Sequence, residues 1–239
     1  MIIVNERNIK TWSLIGQRAT FGLICLELVK HNEKMIILTS DVSTSAGLDR
    51  FRKNYPKNYV DVGIAEQNLI GVATGLASEN FDVITTTFAP FQTLRCCEQI
   101  KVNLGYMKQK ICMVGIGSGL ALGTLGFTHC CIEDIGVLRS IPELDIISPA
   151  DSLETVKALE AAVKSEKSTY LKLREIMLET DYKSMIEEEG LIPPSNTMEE
   201  IIDDNIYKNG NWFIYGSGKP NEDMRYELTS ILKLSNEHL

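Results

Sequence analysis

Asp61-Val62-Gly63-Ile64-Ala65-Glu66-Gln67-Asn68 joins an apolar, strand-like run to a helical run, and the other motifs of the chain are arranged around this junction. The pattern predicts a β-strand before it and a helix over residues 65–78. That helix is almost uncharged, which predicts burial on most sides. Glu66 is its one carboxylate and lies in the first turn, where the helix dipole stabilises an anion. A buried carboxylate there is unfavourable unless it has a partner or a chemical task.

The composition is typical of a globular chain and excludes several classes of function. Of the 239 residues, 44% are hydrophobic and 23% are charged, and the net charge of -8 argues against a nucleic-acid partner. No apolar run approaches the roughly 20 residues of a membrane span, and the first residues do not resemble a signal peptide. The six cysteines form no CxxC pair. We therefore expect a cytoplasmic protein with reduced thiols and no membrane partner.

Short apolar runs alternate with helical runs along most of the chain. Residues 1–10 are interpreted as an arm, and the first helix is predicted over residues 11–30. Strands are predicted at residues 35–39, 60–62, 83–86, 111–116, 144–147 and 169–173, and further helices at residues 65–78, 90–103, 132–139 and 153–164. This alternation predicts an α/β fold with a mostly parallel twisted sheet and helices on both faces.

Loops and linkers divide the chain further. Polar residues 40–55 are predicted to form a loop at the carboxyl end of the first strand, where parallel sheets carry ligand contacts. The glycine-rich residues 117–128 match neither a dinucleotide fingerprint nor a P-loop, and are interpreted as a flexible or tightly turned loop. After Arg174 the chain becomes acidic and irregular. The predicted units are a main domain over residues 1–175, an acidic linker or arm over residues 176–210, and a truncated βα unit over residues 211–239.

Few residues besides Glu66 suggest chemistry by themselves. His129 has no neighbouring histidine that would indicate a metal site, and no GxSxG motif indicates a hydrolase. A lone loop histidine is more often structural than catalytic. Phe88 and Phe91 follow a predicted strand and fit core packing, but also an aromatic wall for a flat heterocycle. Arg174 at a strand end fits an anion site or a surface salt bridge equally well.

Five motifs in fixed order carry a family resemblance. They are Gly63-Ile-Ala-Glu-Gln-Asn68, Thr87-Phe-Ala-Pro-Phe91, Thr128-His129, Ile132-Glu-Asp-Ile135 and Pro149-Ala-Asp151. Over residues 11–175 the chain resembles the pyrimidine-binding domain of the transketolase family of thiamine diphosphate enzymes. The order of several separate motifs makes this resemblance more specific than any one of them.

The resemblance implies a role for each matched residue. Glu66 corresponds to the glutamate that hydrogen-bonds N1′ of the cofactor's aminopyrimidine and so promotes removal of the thiazolium C2 proton. Phe88 and Phe91 correspond to aromatic residues that pack on the pyrimidine. The remaining matches are Asp41 near the cofactor, Ser45 near the substrate, His129 on the substrate's oxygens and Arg174 on a sugar phosphate.

Two departures from the family concern the site itself. Leu125 stands where transketolases have an aspartate that recognises a sugar hydroxyl, and it can neither donate nor accept a hydrogen bond. Leu94 stands where a tyrosine often lies beside the cofactor. A site without these groups is expected to prefer a deoxy or otherwise modified sugar.

A third departure concerns the cofactor's other end. The family holds the diphosphate and Mg²⁺ with a Gly-Asp-Gly…Asn motif in a separate domain, and this chain has no Gly-Asp-Gly. We therefore expect thiamine diphosphate and Mg²⁺ to be held mainly by a diphosphate-binding, N-terminal-type transketolase subunit, in an α2β2 heterotetramer. Gly71 and Gly75 would let the helix over residues 65–78 pack closely on such a partner, although packing within the domain fits equally well.

The expected function is therefore transfer of a two-carbon ketol unit between sugar phosphates, by the C-terminal subunit of a split transketolase. One alternative is a non-catalytic homologue that binds and regulates a partner. Leu125 and the short C-terminus favour it, whereas Glu66, Phe88 and His129 count against it. A second alternative is a subunit like those of 2-oxoacid dehydrogenases or deoxyxylulose-phosphate synthase.

Overall fold

A six-stranded sheet forms the centre of the computed structural model, which describes residues 2–174. The strands are β1 (Met35–Thr39), β2 (Tyr59–Asp61), β3 (Asp82–Phe88), β4 (Ile111–Ile116), β5 (Leu144–Ile147) and β6 (Ser168–Lys172). Their order is β2-β1-β3-β4-β6-β5, and every neighbouring pair is parallel. The predicted linker and C-terminal βα unit lie outside the described residues.

The two faces of the sheet are covered by different helices. These are α1 (Glu6–Val29), α2 (Asp49–Asn54), α3 (Glu66–Ser78), α4 (Ala89–Gln92), α5 (Cys97–Ile100), α6 (Asp134–Leu138) and α7 (Ser152–Lys164). Successive strand residues point to opposite faces. Accordingly, Met35 and Ile37 pack in a core with α1, α2 and α7, whereas Ile36 and Leu38 pack in a second core with α3, α5 and α6. The predicted α/β class with helices on both faces is confirmed.

The first helix begins earlier than predicted, so the interpretation of residues 1–10 as an arm is wrong. Asn5 is the N-cap of α1, and its side chain accepts a hydrogen bond from the N–H of Asn8. The backbone N–H of Ile2 donates to Glu160 of α7 at 2.9 Å, which fixes the start of the chain. Gly16 has a φ of 75° and a ψ of 173°, which puts a kink in α1.

The single helix predicted over residues 90–103 is also wrong. The chain leaves the helical path after α4, re-enters it in α5, and continues as a π-helix over Lys101–Tyr106. The hydroxyl of Thr93 donates to the carbonyl of Ala89 at 2.7 Å, and the ψ of Thr93 is -74°. This break places Arg95 in a turn between the two short helices.

The segment predicted as a loop over residues 40–55 contains α2 and is bound to α1 by a close backbone contact. A Cβ on Gly22 of α1 would lie 2.0 Å from the carbonyl oxygen of Gly47. Gly47 itself has a φ of +71°, a conformation that glycine adopts without strain. Both positions therefore require glycine, and together they fix the loop against the helix.

The predicted burial of α3 on most sides is wrong, because one face of the helix is exposed. Leu69, Ile70 and Ala73 are fully buried, whereas Gly71 and Gly75 lie on the surface, and a Cβ added to either glycine would meet no atom within 4 Å. Their spacing therefore serves no packing contact within residues 2–174. Across the same residues, no helix is both long enough and apolar enough to cross a membrane.

Candidate active site

Asp61, the last residue of β2, holds the turn that precedes α3. Its Oδ1 accepts hydrogen bonds from the N–H groups of Asp41 and Gly63, at 3.0 and 2.9 Å. Its Oδ2 accepts from the hydroxyls of Thr39 and Tyr59, at 3.0 and 3.2 Å. Desolvation by burial opposes ionisation, but these four donors together lower the pKa of Asp61 from its ordinary value. An anionic Asp61 thereby joins the loop after β1 to the start of α3.

Ser40 makes a second connection between the same two segments. Its hydroxyl donates to the carbonyl of Gly63 at 2.5 Å and accepts from the N–H of Ala65 at 3.1 Å. The next residue, Asp41, is exposed and has a φ of 55°, in the left-handed region that aspartate tolerates. Asp41 therefore lies beside the turn that leads to Glu66.

Glu66 is the first residue of α3 and forms an ion pair that the sequence did not indicate. Its Oε1 lies 2.8 Å from Nη1 of Arg95, and the exposed fractions of the two side chains are 6% for Glu66 and 43% for Arg95. Among residues 2–174, Arg95 is the only side chain that bonds to this carboxylate. Gln67 donates to the carbonyl of Arg95 at 3.2 Å, which anchors the backbone of the arginine. The ion pair compensates the burial of Glu66.

Three half-buried rings form a cluster beside this ion pair. The ring centroids of Phe88 and Phe91 are 6.3 Å apart, and the ring of His129 lies 6.2 Å from Phe88 and 5.2 Å from Phe91. All three contacts are edge-on, with interplanar angles of 66° to 81°. Cζ of Arg95 lies 3.9 Å from the centroid of Phe91 and so links Glu66 to the rings.

The remaining predicted site residues are less closely joined. Ser45 is half-buried in the loop after β1, and Arg174 is exposed just beyond β6. The backbone N–H of Arg174 donates to Oε1 of Gln17 at 2.9 Å. Among residues 2–174, no hydrogen bond or ring contact joins either side chain to the aromatic cluster. Both still follow the carboxyl ends of parallel strands, as Glu66 does, and Phe88 is the last residue of β3.

The loop after β4 forms an apolar border near His129. It is tightly turned, since Gly117, Gly119 and Gly126 all have positive φ. Leu125 and Phe127 are 54% and 67% exposed. The position matched to a hydroxyl-recognising aspartate is therefore an exposed leucine on a short 3₁₀ turn.

A second carboxylate at this end of the sheet is completely enclosed. Asp134, the first residue of α6, accepts from Nζ of Lys172 at 2.7 Å, from the hydroxyl of Tyr170 at 3.0 Å and from the N–H of Ile135 at 2.9 Å. Burial, and then the charge of Asp134, raise the pKa of Tyr170 well above its ordinary value. We call Asp134, Tyr170 and Lys172 the closed cluster, and Glu66, Arg95 and Phe91 the open cluster.

A cavity of about 680 Å³ lies away from both clusters. Its lining includes Trp12, His31 and Asp82, and His31 and Asp82 lie at the amino ends of β1 and β3. It is therefore at the end of the sheet opposite Glu66 and Phe88. In open α/β sheets ligands bind outside the carboxyl ends of the strands, so we place the candidate site at the clusters rather than at this cavity.

The sequence pointed to one half of the open cluster but not to the other. Arg95 follows Phe91 by four residues, and no pattern connected it with Glu66, which lies 29 positions earlier. No sequence pattern connected Asp134 with Lys172 either, since the two residues are 38 positions apart. Contacts between separate βα units depend on strand order, which short-range periodicity does not encode.

Comparisons with known proteins point to one family. The profile of the family described as "Transketolase, pyrimidine binding domain" matches residues 15–180. A shorter match, to the C962R protein N-terminal AEP domain, covers residues 160–232, most of which lie outside the described residues. The chain is 34% identical over 161 residues to a subunit of apulose-4-phosphate transketolase from Phocaeicola vulgatus, covering 67% of this chain and 52% of that protein.

Two further relatives are similar over the same region. A 6-deoxy-6-sulfo-D-fructose transketolase subunit of Clostridium sp. is 30% identical, over 65% of this chain and 48% of its own length. The solved structure titled "Split gene transketolase, inactive beta4 tetramer" has 31% identity and a TM-score of 0.60, and the match covers 67% of this chain and 51% of that one. The chain thus spans about half the length of the curated relatives it matches.

Proposed function

The chain belongs to the transketolase pyrimidine-binding domain family, and on this premise we propose that it is the pyrimidine-side, C-terminal-type subunit of a split transketolase. The proposed reaction is transfer of a two-carbon ketol unit between sugar phosphates or related sugars. One observation carries the proposal: a buried carboxylate, Glu66, lies beside an aromatic cluster formed by Phe88, Phe91 and His129. Separate motifs of the sequence meet at this one place.

The described residues fit the pyrimidine end of thiamine diphosphate. Glu66 would hold the aminopyrimidine at N1′ and keep a proton there, while Phe88 and Phe91 offer half-buried ring faces. The hydroxyl of Thr87, immediately before Phe88, is buried and has no partner among residues 2–174, which marks an incomplete polar site. When bound, the cofactor supplies the electron sink for breaking and forming the carbon–carbon bond.

The described residues do not fit the diphosphate end. Residues 2–174 contain no group of three His, Cys, Asp or Glu side chains that could hold a metal ion. The sequence also lacks Gly-Asp-Gly. We therefore assign the diphosphate and Mg²⁺ to a partner subunit with the N-terminal-type domain, in an α2β2 assembly in the cytoplasm. The exposed face of α3, with Gly71 and Gly75, is available for that contact.

The proposed substrate is a modified sugar, because the border of the site is apolar. Leu125 cannot form a hydrogen bond with a sugar hydroxyl, so the preference of transketolases for a sugar with that hydroxyl should be lost here. Relatives named for apulose 4-phosphate and for a deoxy-sulfo-fructose support this expectation. In this proposal His129 contacts the sugar's oxygens, Ser45 and Asp41 lie along the same edge, and Arg174 binds an anionic group of the sugar.

A non-catalytic partner-binding module is the second candidate. Two observations favour it: Leu125 replaces a recognition residue, and Glu66 is already bonded to Arg95 within the chain. Both candidates require a partner subunit, so detecting assembly does not separate them. The separation depends on whether the assembly turns over and whether that turnover requires Glu66.

The test is co-expression with a polypeptide that carries a Gly-Asp-Gly…Asn domain, followed by a ketol-transfer assay with Mg²⁺, thiamine diphosphate and a panel of phosphorylated and modified sugars. We expect Glu66→Gln to lower kcat about 10²- to 10⁴-fold, the range for loss of acid–base assistance, while the complex still elutes as one peak. Lys108→Gln, a remote surface change, should leave kcat unaltered.

Four results would contradict parts of the proposal. Full turnover by this chain alone would exclude a split enzyme, and undiminished activity of Glu66→Gln would exclude its proton role. A stable complex without turnover on any sugar would favour the non-catalytic module. A clear preference for xylulose 5-phosphate and ribose 5-phosphate would contradict the modified-sugar expectation.

A further inference from the structure

Arg95 makes two contacts that together outline a site for a flat group with N–H donors. One edge of its guanidinium bonds to Glu66 at 2.8 Å, and its Cζ lies 3.9 Å from the centroid of Phe91. The guanidinium is planar, delocalised and rich in donors, so it matches a carboxylate edge and an aromatic face at the same time. Phe88 and His129 meet Phe91 only edge-on, so among the ring contacts Arg95 is the group over its face.

An aminopyrimidine needs the same two contacts. It is flat, it presents its ring to an aromatic face, and its N1′ shares a proton with a carboxylate. Resting on the proposed function, we propose that Arg95 occupies the pyrimidine position in the free chain, and that the cofactor's aminopyrimidine enters by displacing it. Glu66 then exchanges the guanidinium for the pyrimidine and one proton taken up from water. This proton lies between the carboxylate and N1′, so that Glu66 is compensated in both states.

The exposures of the two partners determine which of them moves. Glu66 is 6% exposed on the first turn of α3, so its carboxylate has nowhere to relocate. Arg95 is 43% exposed, so water can take over its hydrogen bonds when it leaves. Gln67 holds the backbone carbonyl of Arg95 at 3.2 Å, so the guanidinium swings on its own methylene chain while the turn stays in place.

This arrangement couples cofactor binding to the breaking of an internal contact. A chain in which Arg95 covers Glu66 is not competent to bind the pyrimidine. The apparent affinity therefore falls in proportion to the fraction of chains in which Glu66 is uncovered. The contact also keeps a buried carboxylate from standing uncompensated before the assembly is complete. Arg95 is therefore an occluding residue. It weakens binding of the pyrimidine, and it compensates the buried charge of Glu66 in the free chain.

The experiment uses the full-length chain alone and thiamine, which carries the pyrimidine but no diphosphate, as the probe. Binding is measured by saturation-transfer NMR and calorimetry for wild type, Arg95→Gln, Arg95→Lys and Lys108→Gln. Arg95→Gln should bind thiamine about twofold to fivefold more tightly than wild type, which is the gain expected from removing a competing, partly exposed ion pair. Arg95→Lys retains the charge but not the planar group and should fall between them.

Lys108→Gln is the matched control, because Lys108 is 70% exposed and faces Glu143 at 3.9 Å at the other end of β4. It removes the same charge and should bind thiamine as wild type does. Adding Glu66→Gln to Arg95→Gln should abolish the gain. Far-ultraviolet circular dichroism checks that each variant is folded, and Arg95→Lys serves as the reference if Arg95→Gln is unfolded.

The proposal is overturned if folded Arg95→Gln binds thiamine no better than wild type, or if the gain survives without Glu66. Either result leaves the transfer assay with the partner subunit untouched, since that assay depends on Glu66 and not on Arg95. Conversely, a gain in thiamine affinity with no turnover in any assembly would retain the occluding role and reject the transferase function. The two proposals can therefore fail separately.

Discussion

The closed cluster and the open cluster each contain a buried carboxylate at the same end of the sheet, but the two carboxylates differ in their hydrogen-bond partners. Asp134 is fully buried and accepts hydrogen bonds from Lys172, Tyr170 and a backbone N–H. Glu66 is almost as buried but bonds to one side chain, and that side chain is nearly half exposed. Both lie on the first residue of a helix, so helix position alone does not distinguish them.

The difference indicates which carboxylate is available for chemistry. A fully enclosed carboxylate whose donors are all internal is not accessible to a ligand, and removing it leaves its charged and polar partners without an acceptor. A carboxylate held by one detachable arginine can exchange that donor for another without losing compensation. The number of fixed donors, rather than burial, therefore separates the structural acid Asp134 from the candidate catalytic acid Glu66.

The largest expected effect comes from removing each acid in turn. Asp134→Ala should lower the free energy of unfolding by about 3 to 5 kcal/mol, because the charge of Lys172, which is only 12% exposed, would be left uncompensated. Glu66→Ala should lower it by less than about 1 kcal/mol, because Arg95 can turn into solvent. Urea unfolding of the free chain measures both.

Equal losses of stability in these two variants would contradict the comparison. So would a loss for Glu66→Ala that exceeds the loss for Asp134→Ala. Asp134→Asn, which keeps the shape of the side chain, should fall between wild type and Asp134→Ala, since it retains an acceptor for Tyr170.

A smaller effect should appear at high pH and should belong to the closed cluster and the adjacent Cys131. Burial raises the pKa of Cys131 to about 11 from 9.0, and the pKa of Tyr170 is raised well above 10.0. The unfolded chain loses these protons at lower pH than the folded chain does. The stabilisation from keeping both groups neutral is therefore complete below pH 9 and is lost as the pH rises towards 11 and beyond.

This dependence is measured by urea unfolding between pH 8 and pH 11. Cys131→Ala should make the decline in unfolding free energy shallower than in wild type. Cys130→Ala is the neighbouring control, because Cys130 is only half-buried, and it should change the slope less. A steeper dependence on Cys130 than on Cys131 would contradict the enclosure of this cluster.

The smallest effect should come from the exposed face of α3, which adjoins the open cluster. Gly71→Ala should stabilise the free chain by about 0.5 to 1 kcal/mol, because a Cβ there meets no atom and alanine is the better helix former. The same change should weaken assembly with the proposed partner subunit if that face packs closely on it. Thermal unfolding and size-exclusion titration test the two effects, and a gain in both would exclude a close contact at Gly71.

Much of the fold could be predicted because each strand carries its own signal. The predicted strands at residues 35–39, 111–116 and 144–147 have the observed bounds, and α3 starts one residue after its predicted start. The proximity of Phe88 and Phe91 could be expected from their spacing and from family motifs, whereas the contacts of His129 with both rings were not predicted.

The misses have local physical causes. The helix predicted over residues 90–103 breaks because the hydroxyl of Thr93 bonds back to a carbonyl, an option that a hydrophobic pattern does not register. The supposed arm is helical because Asn5 caps it and Glu160, far along the chain, accepts from Ile2. Arg95 could not be assigned to Glu66, since their meeting requires α3 and the turn after β3 to be placed side by side.

The contact between Gly22 and Gly47 has an evolutionary consequence. The loop that carries Asp41 and Ser45 is pressed against α1 at one point, where a side chain on Gly22 would approach a backbone oxygen to 2.0 Å. Single substitutions can diversify the tip of this loop, but a single substitution of Gly22 or Gly47 cannot be accommodated without a shift of the backbone. Homologues of different specificity should therefore differ between residues 41 and 46 while keeping both glycines, and in a relative that has lost one of them the first helix should have changed as well.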